Sequence, residues 1–288
     1  VNPAVANHST ADLRWYLFGS NQFGGGVSNA HNGVMAYEHA YQGVEARKAY
    51  FFMGDAMVCM GSGIKAARTQ EVRTSVNQCL ANGEVTYGLS GHTYRLTNNL
   101  SDKNIDWAYH DNVGYIFPQN ESVTLRKAKQ TGAWRELEVT ASDKPVTKEI
   151  FSLWVSHGTT PQHEDYCYII MPDKPLSYFT DKKFENEIKI IVNSEQIQAI
   201  SNENKRQYAA VFYEPGEIRF AEDLVVAVNK KVIIYIEKKD KQYEIAVADP
   251  LYKEQSLQLS MNGEQINIVF PSGDYSGSSV IKHITEKH

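Results

Sequence analysis

RKAYFFMGDAMVCMGSGI, residues Arg47–Ile64, is the stretch that decides the fold. It holds two nearly continuous apolar runs, Ala49–Met53 and Ala56–Met60, on either side of the pair Gly54-Asp55. A Gly-Asp pair supplies the positive φ that a two-residue hairpin turn needs. Tyr, Phe and Val residues favour strands, and glycines on both sides disfavour the alternative of a buried helix. The stretch therefore predicts a β-hairpin.

The two runs do not alternate apolar with polar residues, so both faces of each strand are expected to be covered by other protein layers. We expect Tyr50–Phe52 and Met57–Cys59 to be almost fully buried. The segment Gly61-Ser62-Gly63 is expected to release the chain from the sheet, because glycine and serine are typical of loops. The hairpin is thus predicted to lie at the centre of the fold.

Composition supports an all-β protein. The 288 residues include 17 Tyr, 11 Phe and 4 Trp, and short apolar runs are separated by Gly, Asn, Asp and Pro. Such proteins often bind saccharides. The formal net charge of −5 argues against a dedicated nucleic-acid binder, and any acidic polysaccharide would need a local cationic patch.

Three cysteines, Cys59, Cys79 and Cys167, cannot form a complete disulfide framework, and their apolar contexts predict buried free thiols. No run reaches the roughly 18 apolar residues of a membrane span, and no signal segment opens the chain. The first residue is Val1. We therefore expect the C-terminal part of a longer chain, with any signal peptide upstream.

The chain divides into two series of predicted strands. The polar, proline-marked stretch Pro172–Asn186 separates them, which predicts a large domain over residues 1–180 and a smaller antiparallel sandwich over residues 181–288. Predicted strands before the boundary, besides the hairpin, are Gly33–Gln42, Glu71–Leu80, Asp106–His110, Val113–Phe117, Val123–Lys127, Ile150–His157 and Tyr166–Met171. Those after it are Ile188–Val192, Tyr208–Tyr213, Leu224–Val228, Lys231–Glu237, Tyr243–Ala248, Ser256–Ser260 and Gln265–Phe270.

Several motifs are weighed against simpler readings. The glycine-rich segment Gly19–Asn29 lacks the GxxxxGK[ST] pattern of a nucleotide loop, and its glycines instead suit bulges or close approach of the backbone to a ligand.

His110 with Tyr109, and His157 near Tyr166, suggest acid/base pairs, but satisfied strand histidines are the preferred interpretation. The adjacent residues His163-Glu164-Asp165 cannot all face one metal ion, so a loop is predicted there. Trp107, Trp134 and Trp154 are assigned to packing.

The order of these segments resembles a known family. Trp15, GSNQFGGGVSN, the hairpin, VRTSVNQCL, WAYHDNVGYIFP, LWVSHGTTPQHEDYCYIIMP and ADPL at Ala248–Leu251 together look like the β half of polysaccharide lyase family 8, in particular its chondroitin AC lyases. No single motif carries the likeness, which runs from about Leu13 to the C-terminus. The resemblance implies a large β super-sandwich followed by a smaller C-terminal β-sandwich, preceded in the parent chain by a catalytic α/α toroid.

The resemblance also implies a chemistry. Such lyases cleave uronic-acid polysaccharides by β-elimination, with a base, an acid and a group that neutralises the carboxylate. In the family a Tyr, a His and an Arg of the toroid do this, with an Asn from the first part of the β domain. The stretch that carries the Asn is expected to end before Val1, so no catalytic residue is transferred here. Trp15 matches a Trp that lines the family's substrate cleft, with packing of the arm as its alternative. Arg14 beside it suits a sulfate or carboxylate, or is simply exposed. No cofactor or metal is implied.

Two functions therefore stay open. The first is the non-catalytic β portion of a secreted or periplasmic lyase, whose partners would be the toroid and an acidic, glycosaminoglycan-type polysaccharide. The second is a free-standing carbohydrate-binding or structural β protein that reuses the same scaffold. Chondroitin, hyaluronan and xanthan all suit the first reading. In either case the isolated chain is expected to be inactive, without nucleic-acid partners and without a membrane span.

Overall fold

A computed structural model of the protein describes residues 21–67, 69–119 and 121–286. Within these ranges the chain is almost entirely β, with one short helix, α1 (Leu176–Thr180), and 3₁₀ turns at Trp134–Glu136, Glu203–Lys205 and Gly273–Tyr275. The strands are β1 (Gly24–Ser28), β2 (Gly33–Tyr41), β3 (Val44–Met53), β4 (Ala56–Ala66), β5 (Arg73–Leu80), β6 (Val85–Leu89), β7 (His92–Arg95), β8 (Leu100–Lys103), β9 (Trp107–His110), β10 (Val113–Ile116), β11 (Val123–Gly132), β12 (Val146–Ser156), β13 (Glu164–Pro172), β14 (Lys189–Asn193), β15 (Ile197–Asn202), β16 (Gln207–Phe212), β17 (Gly216–Ala221), β18 (Leu224–Val228), β19 (Val232–Lys239), β20 (Gln242–Ala248), β21 (Ser256–Met261), β22 (Glu264–Val269) and β23 (Val280–Thr285).

These strands form four antiparallel sheets. Sheet 1 has the order β1-β2-β3-β4-β13-β10-β9-β6-β7, sheet 2 β5-β12-β11-β8, sheet 3 β14-β15-β16-β19-β20-β23, and sheet 4 β17-β18-β21-β22. One hydrophobic core lies between sheets 2 and 1, a second between sheets 1 and 3, and a third between sheets 3 and 4. The all-β prediction is confirmed, and the sheets stack in the order 2-1-3-4.

Burial on both faces explains why some strands lack alternation. Every residue of β16 is buried, and so are the first five residues of β19, Val232–Ile236, because sheet 3 lies between two other sheets. A continuous apolar run is the expected signature of such a strand. No helix in the described part of the chain has the length and apolar character needed to cross a membrane.

The predicted central hairpin is confirmed. Strands β3 and β4 pair antiparallel, with Met53 opposite Ala56 and Gly54 at a φ of 58° in the turn. The burial prediction is wrong in part, because Phe52 is 43% exposed and Tyr50 and Met57 are only half-buried. Sheet 2 lies over strands farther along sheet 1 and reaches only part of β3, whose Ala46 and Tyr50 pack in the core beneath it. Within the described residues, the same face of β1 and β2 has no covering sheet.

The predicted release of the chain at Gly61-Ser62-Gly63 is also wrong, since β4 continues to Ala66. Gly61 serves the packing instead. It lies opposite Lys48 of β3 and Tyr166 of β13, and a Cβ on Gly61 would stand 2.1 Å from Cε1 of Tyr166. The glycine therefore makes room for a buried aromatic ring within a continuous strand.

A buried polar chain ties sheet 3 to sheet 1 at the same point. Tyr213 Oη donates to Gln198 Oε1 at 2.8 Å, and Gln198 Nε2 donates to Asn193 Oδ1 at 2.8 Å. Asn193 Nδ2 then donates to the carbonyls of Gly61 at 3.2 Å and Tyr166 at 3.1 Å. Because the side chains of Tyr213, Gln198 and Asn193 are linked in series to sheet 1, the two sheets are held in one register.

Other expectations have mixed outcomes. The predicted strands Asp106–His110 and Val113–Phe117 pair as a hairpin, and Asp111 and Asn112 form its turn with φ values of 50° and 61°. Cys59 and Cys167 are buried free thiols, whereas Cys79 is only half-buried. Trp107 is buried, but Trp134 is 62% exposed on a 3₁₀ turn, so its assignment to packing is wrong. The chain also forms strands that the sequence did not indicate: β1, β6, β7, β8, β15, β17 and β23.

We predict that Gly61→Ala destabilises the protein by about 1–3 kcal/mol, because the new methyl group overlaps the Tyr166 ring and neither strand can shift freely. The matched control is Gly132→Ala at the end of β11, where a Cβ would meet only ordinary contacts at 3.7 Å or more. Urea unfolding of both variants gives the comparison. Equal stabilities of the two variants would contradict the packing argument.

Candidate functional site

The face of β1, β2 and β3 that sheet 2 leaves uncovered or only partly covered, called here the open face, is the candidate site. Strand register places Gly24, Tyr37, Lys48, Gly61 and Tyr166 in one row across five strands. The adjacent row consists of Gly26, Met35, Tyr50, Cys59 and Tyr168. The tyrosines of β13 at the far ends of both rows belong to the core beneath sheet 2. The near ends of the rows are open.

The glycine-rich segment forms the edge of this face. Its part Gly24–Ser28 is the strand β1, and Gly25 approaches the protein's own backbone, since a Cβ there would lie 3.3 Å from Cα of Pro250. Gly24 N donates to the Pro250 carbonyl at 3.1 Å. Asp249 holds that loop by accepting from the backbone amides of Leu251, Lys253 and Glu254. The ADPL segment is therefore a docking point for β1.

A shallow groove of about 590 Å³ runs along the open face. Its walls include Met35, which is 47% exposed, and Phe52, which is 43% exposed. Tyr37 lies at one end and His31 lies in the β1–β2 turn. Ser279, which precedes β23, also lines the groove, and its Oγ accepts from Ser28 N at 3.0 Å. Volumes of 300–1,000 Å³ are typical of small-molecule sites, and apolar walls with a few polar groups are their usual lining.

Beside the groove, aromatic and basic side chains gather around Lys48. The rings of Tyr37 and Tyr50 are stacked with centroids 6.4 Å apart, and the imidazole of His39 meets Tyr37 edge-on at 6.4 Å. His157, which follows β12, lies 5.9 Å from the ring of Tyr166. The cluster therefore sits where the cover of sheet 2 ends.

Burial sets the charge of this cluster. Burial lowers the pKa of the Lys48 ammonium. It also lowers the pKa of His39, with a further contribution from the Lys48 charge. For His157, burial first and Lys48 second lower the pKa to about 4, so this imidazole is neutral at pH 7. Burial and a hydrogen bond with Tyr37 raise the pKa of Tyr50. At neutral pH the cluster is thus a cation among neutral rings.

The site residues expected from the sequence do not appear here. Trp15 and Arg14 lie outside the described residues, so their substrate-binding role stays a prediction. The histidines that were set aside have structural partners: the Asn82 backbone amide donates to Nε2 of His110 at 3.1 Å, and Nε2 of His157 lies 2.8 Å from Thr74 Oγ1. His163 Nδ1 lies 2.5 Å from Glu195 Oε1.

The Lys48 cluster was missed by sequence reasoning, although a signal was present. In β2 the residues Met35, Tyr37 and His39 are less buried than Val34 and Ala36, with which they alternate. Alternation of this kind marks a strand with one open face. The partner face of β3 was hidden because Phe52 and Tyr50 are themselves apolar or aromatic, and they read as core.

Comparison with known proteins gives a consistent result. The family model for polysaccharide lyase family 8, super-sandwich domain, matches residues 2–183, and that for the family's C-terminal beta-sandwich domain matches residues 189–258. Chondroitinase-AC of Pedobacter heparinus is 31% identical over 277 residues, which are 92% of this chain and 39% of that protein. A hyaluronate lyase of Thermasporomyces composti is 24% identical over 82% of this chain and 30% of that protein.

A solved structure supports the same assignment. A chondroitinase AC lyase, studied in complexes with oligosaccharides, superposes with a TM-score of 0.85 at 29% identity, covering 92% of this chain and 40% of that one. The predicted architecture of a super-sandwich followed by a smaller β-sandwich is confirmed. The chain spans about two fifths of the length of the chondroitinase that it matches.

His157 gives a testable pH dependence. The pKa of His157 is about 4 in the folded protein, against an ordinary value of 6.5. Between these two pH values the imidazole is protonated in the unfolded chain and neutral in the folded protein. Folding stability therefore falls as the pH drops from 6.5 towards 4. We predict that the wild type loses about 2 kcal/mol more than His157→Gln between pH 7 and pH 5, measured by urea unfolding.

The comparison with the variant is needed because another group opposes the effect. Burial raises the pKa of Glu121 to about 7, so its carboxyl takes up a proton in the folded state and favours folding as the pH drops. Glu121 contributes equally to both proteins. Parallel pH profiles for wild type and His157→Gln would show that the imidazole is not held neutral.

Proposed function

Since the chain belongs to polysaccharide lyase family 8, we propose that it is the β portion of an enzyme that cleaves a uronic-acid polysaccharide of the chondroitin or hyaluronan type by β-elimination. In this proposal the chain supports one side of the substrate cleft. The reactive groups lie on an α/α toroid in the rest of the parent protein. The likeness to Chondroitinase-AC over 92% of the chain carries the proposal.

The open face supports a role in lining a cleft. It exposes Met35 and Phe52 beside Tyr37, although each belongs to a strand whose opposite face is buried. Exposed apolar residues next to aromatic rings are typical of surfaces that contact a saccharide or another domain. A sugar ring presents apolar C–H faces that suit such rings, and its hydroxyls suit the polar groups at the ends of the groove.

The histidine and tyrosine pairs singled out from the sequence support the absence of catalysis by this chain alone. β-Elimination needs a base, an acid and a carboxylate-neutralising group that converge on one sugar. Tyr109 Oη donates to the carbonyl of Lys174 at 3.0 Å, and His110 is 1% exposed and stacked on Phe151. Tyr166 is also 1% exposed. These pairs of histidine and tyrosine are packed, and none faces the open groove.

The proposal extends to residues and location beyond the described structure. Trp15 is proposed to stack on a sugar ring and Arg14 to meet a sulfate or carboxylate, since the family's cleft carries a matching Trp. The parent enzyme is proposed to be secreted or periplasmic, where polymeric substrates are found. Chondroitin and hyaluronan are preferred as substrates because the two similar proteins are named as a chondroitinase and a hyaluronate lyase.

We predict that the purified 288-residue chain produces no detectable unsaturated uronate from chondroitin sulfate, hyaluronan or xanthan. The loss of one transition-state donor alone costs about 10²- to 10³-fold in rate, and this chain is proposed to lack the whole set. Ultraviolet absorbance of the unsaturated product is the measurement. The same assay is repeated with the toroid domain of a family member, added separately or fused upstream.

Two outcomes would overturn parts of the proposal. Turnover by the chain alone would place a complete active site within it, and variants Tyr109→Phe and His110→Asn would then locate that site. A fusion that folds and binds polysaccharide but shows no turnover with any of the three polymers would instead favour a carbohydrate-binding protein that reuses the scaffold.

A further inference from the structure

We propose that Lys48, with Tyr37 and His39, forms a subsite for an anionic oxygen group of an acidic saccharide, either a uronate carboxylate or a sulfate ester. The identity of the ligand as a saccharide rests on the proposed function, whereas the preference for an anion rests on the cluster itself. The subsite lies on the open face, at the end of the groove marked by Tyr37.

The position of Lys48 is fixed by its row. Tyr37 of β2 stands on one side of it, and Gly61 of β4, which has no side chain, stands on the other. The Tyr166 ring fills the space above Gly61 and closes that side. A lysine between a tyrosine and a wall has little freedom to move its ammonium into bulk water. Lys48 is half-buried, so its charge is confined to a small region.

The charge of Lys48 is uncompensated within the described residues. Its pKa is lowered by burial, and no carboxylate or hydrogen-bond acceptor of these residues pairs with it. The acidic residues of neighbouring strands have other cations: Glu38 pairs with Arg47, Glu45 with Lys65, and Glu71 with Arg73. The rings that sense the Lys48 charge, His39 and His157, are held towards their neutral forms.

A half-buried cation without a partner costs folding free energy. Other lysines on this protein show the usual solution, since Lys65 meets Glu45 at 2.8 Å and Lys174 meets Asp55 at 2.8 Å. An anion delivered by a ligand would meet Lys48 in a partly desolvated place, where charge-assisted hydrogen bonds are stronger than at an exposed site. The geometry thus favours an anion from outside the chain.

The surroundings favour a sugar-borne anion over a free ion. Tyr37 is the neighbour of Lys48 across the strand pair and also lines the groove, together with Met35 and Phe52. A pyranose ring has room in a groove of about 590 Å³ while its carboxylate or sulfate reaches back to Lys48. A small inorganic anion would use the charge alone, whereas an acidic saccharide would use both features.

The test measures direct binding of saccharides and inorganic sulfate to the 288-residue chain by calorimetric titration at low ionic strength. The probes are hyaluronan oligosaccharides, which carry carboxylates only, chondroitin sulfate oligosaccharides, which carry carboxylates and sulfates, the carboxyl-reduced and desulfated neutral derivative, and inorganic sulfate. We expect Lys48→Met to weaken binding of the acidic oligosaccharides at least about tenfold, the equivalent of one charge-assisted contact. Lys48→Arg should stay within about threefold of the wild type, and the neutral derivative should bind weakly to all variants.

Lys65→Met is the matched control, because it removes the same charge from the adjacent strand at a side chain that is 46% exposed and already paired with Glu45. It should change binding by less than about twofold. Tyr37→Leu is the second variant, and we expect it to weaken oligosaccharides but not inorganic sulfate. Removal of an uncompensated cation should leave the melting temperature of Lys48→Met unchanged or raised, which reports that the variant is folded.

Comparison of the probes and the variants identifies the anion and tests the subsite. Loss with chondroitin sulfate but not hyaluronan assigns the anion as sulfate, and loss with both assigns it as carboxylate. Equal weakening by Lys48→Met and Lys65→Met, or no binding by the wild type, would overturn the subsite. If a toroid fusion turns over substrate, and Lys48→Met changes neither its binding nor its KM, the subsite is overturned and the proposed function stays intact. If binding depends on Lys48 but the fusion shows no turnover, the subsite is supported and the proposed function is overturned.

Discussion

The structure depends on the missing side chain of Gly61. At that residue β4 passes beneath the ring of Tyr166, which belongs to the core between sheets 1 and 2. The carbonyls of the same two residues accept hydrogen bonds from Asn193 of sheet 3. Three sheets therefore meet at a position where only glycine fits, because any Cβ would overlap the ring. Lys48, the neighbour of Gly61 across the sheet, occupies the point where this packing gives way to the open face.

This junction explains how stacked sheets can shape an exposed surface. The stacked sheets hold β2 and β3 rigidly from one side, so their other side can present Tyr37, Lys48 and Phe52 at fixed spacing. Rigid strands position contact residues more exactly than loops do. The open face is therefore a consequence of unequal sheet widths, since the four-stranded sheet 2 cannot cover the whole of the nine-stranded sheet 1.

The sequence predicted much of the fold and little of the site, for physical reasons. Continuous apolar runs such as Val232–Ile236 and the Gly54-Asp55 turn report burial and backbone geometry directly, so the strands that contain them were predictable. Strand β7 is exposed throughout and β1 is built around glycines, so neither carries a hydrophobic pattern. The exposure of Phe52 depends on how far sheet 2 extends, which is a property of distant residues. The meeting of Lys48 with His157 likewise follows from tertiary packing alone.

The order of strands in sheet 1 has a consequence for synthesis in the cell. Strand β4 pairs with β13, about a hundred residues later, and the inner face of the sheet is covered by strands from Ile197 onward. Gly24 near the beginning is anchored to Pro250 near the end. At roughly 5–20 residues per second of translation, the apolar side of the early hairpins would stay uncovered for about ten seconds. Such long-range pairing also makes folding slow. We therefore expect the nascent chain to need protection by chaperones until the third sheet has emerged from the ribosome.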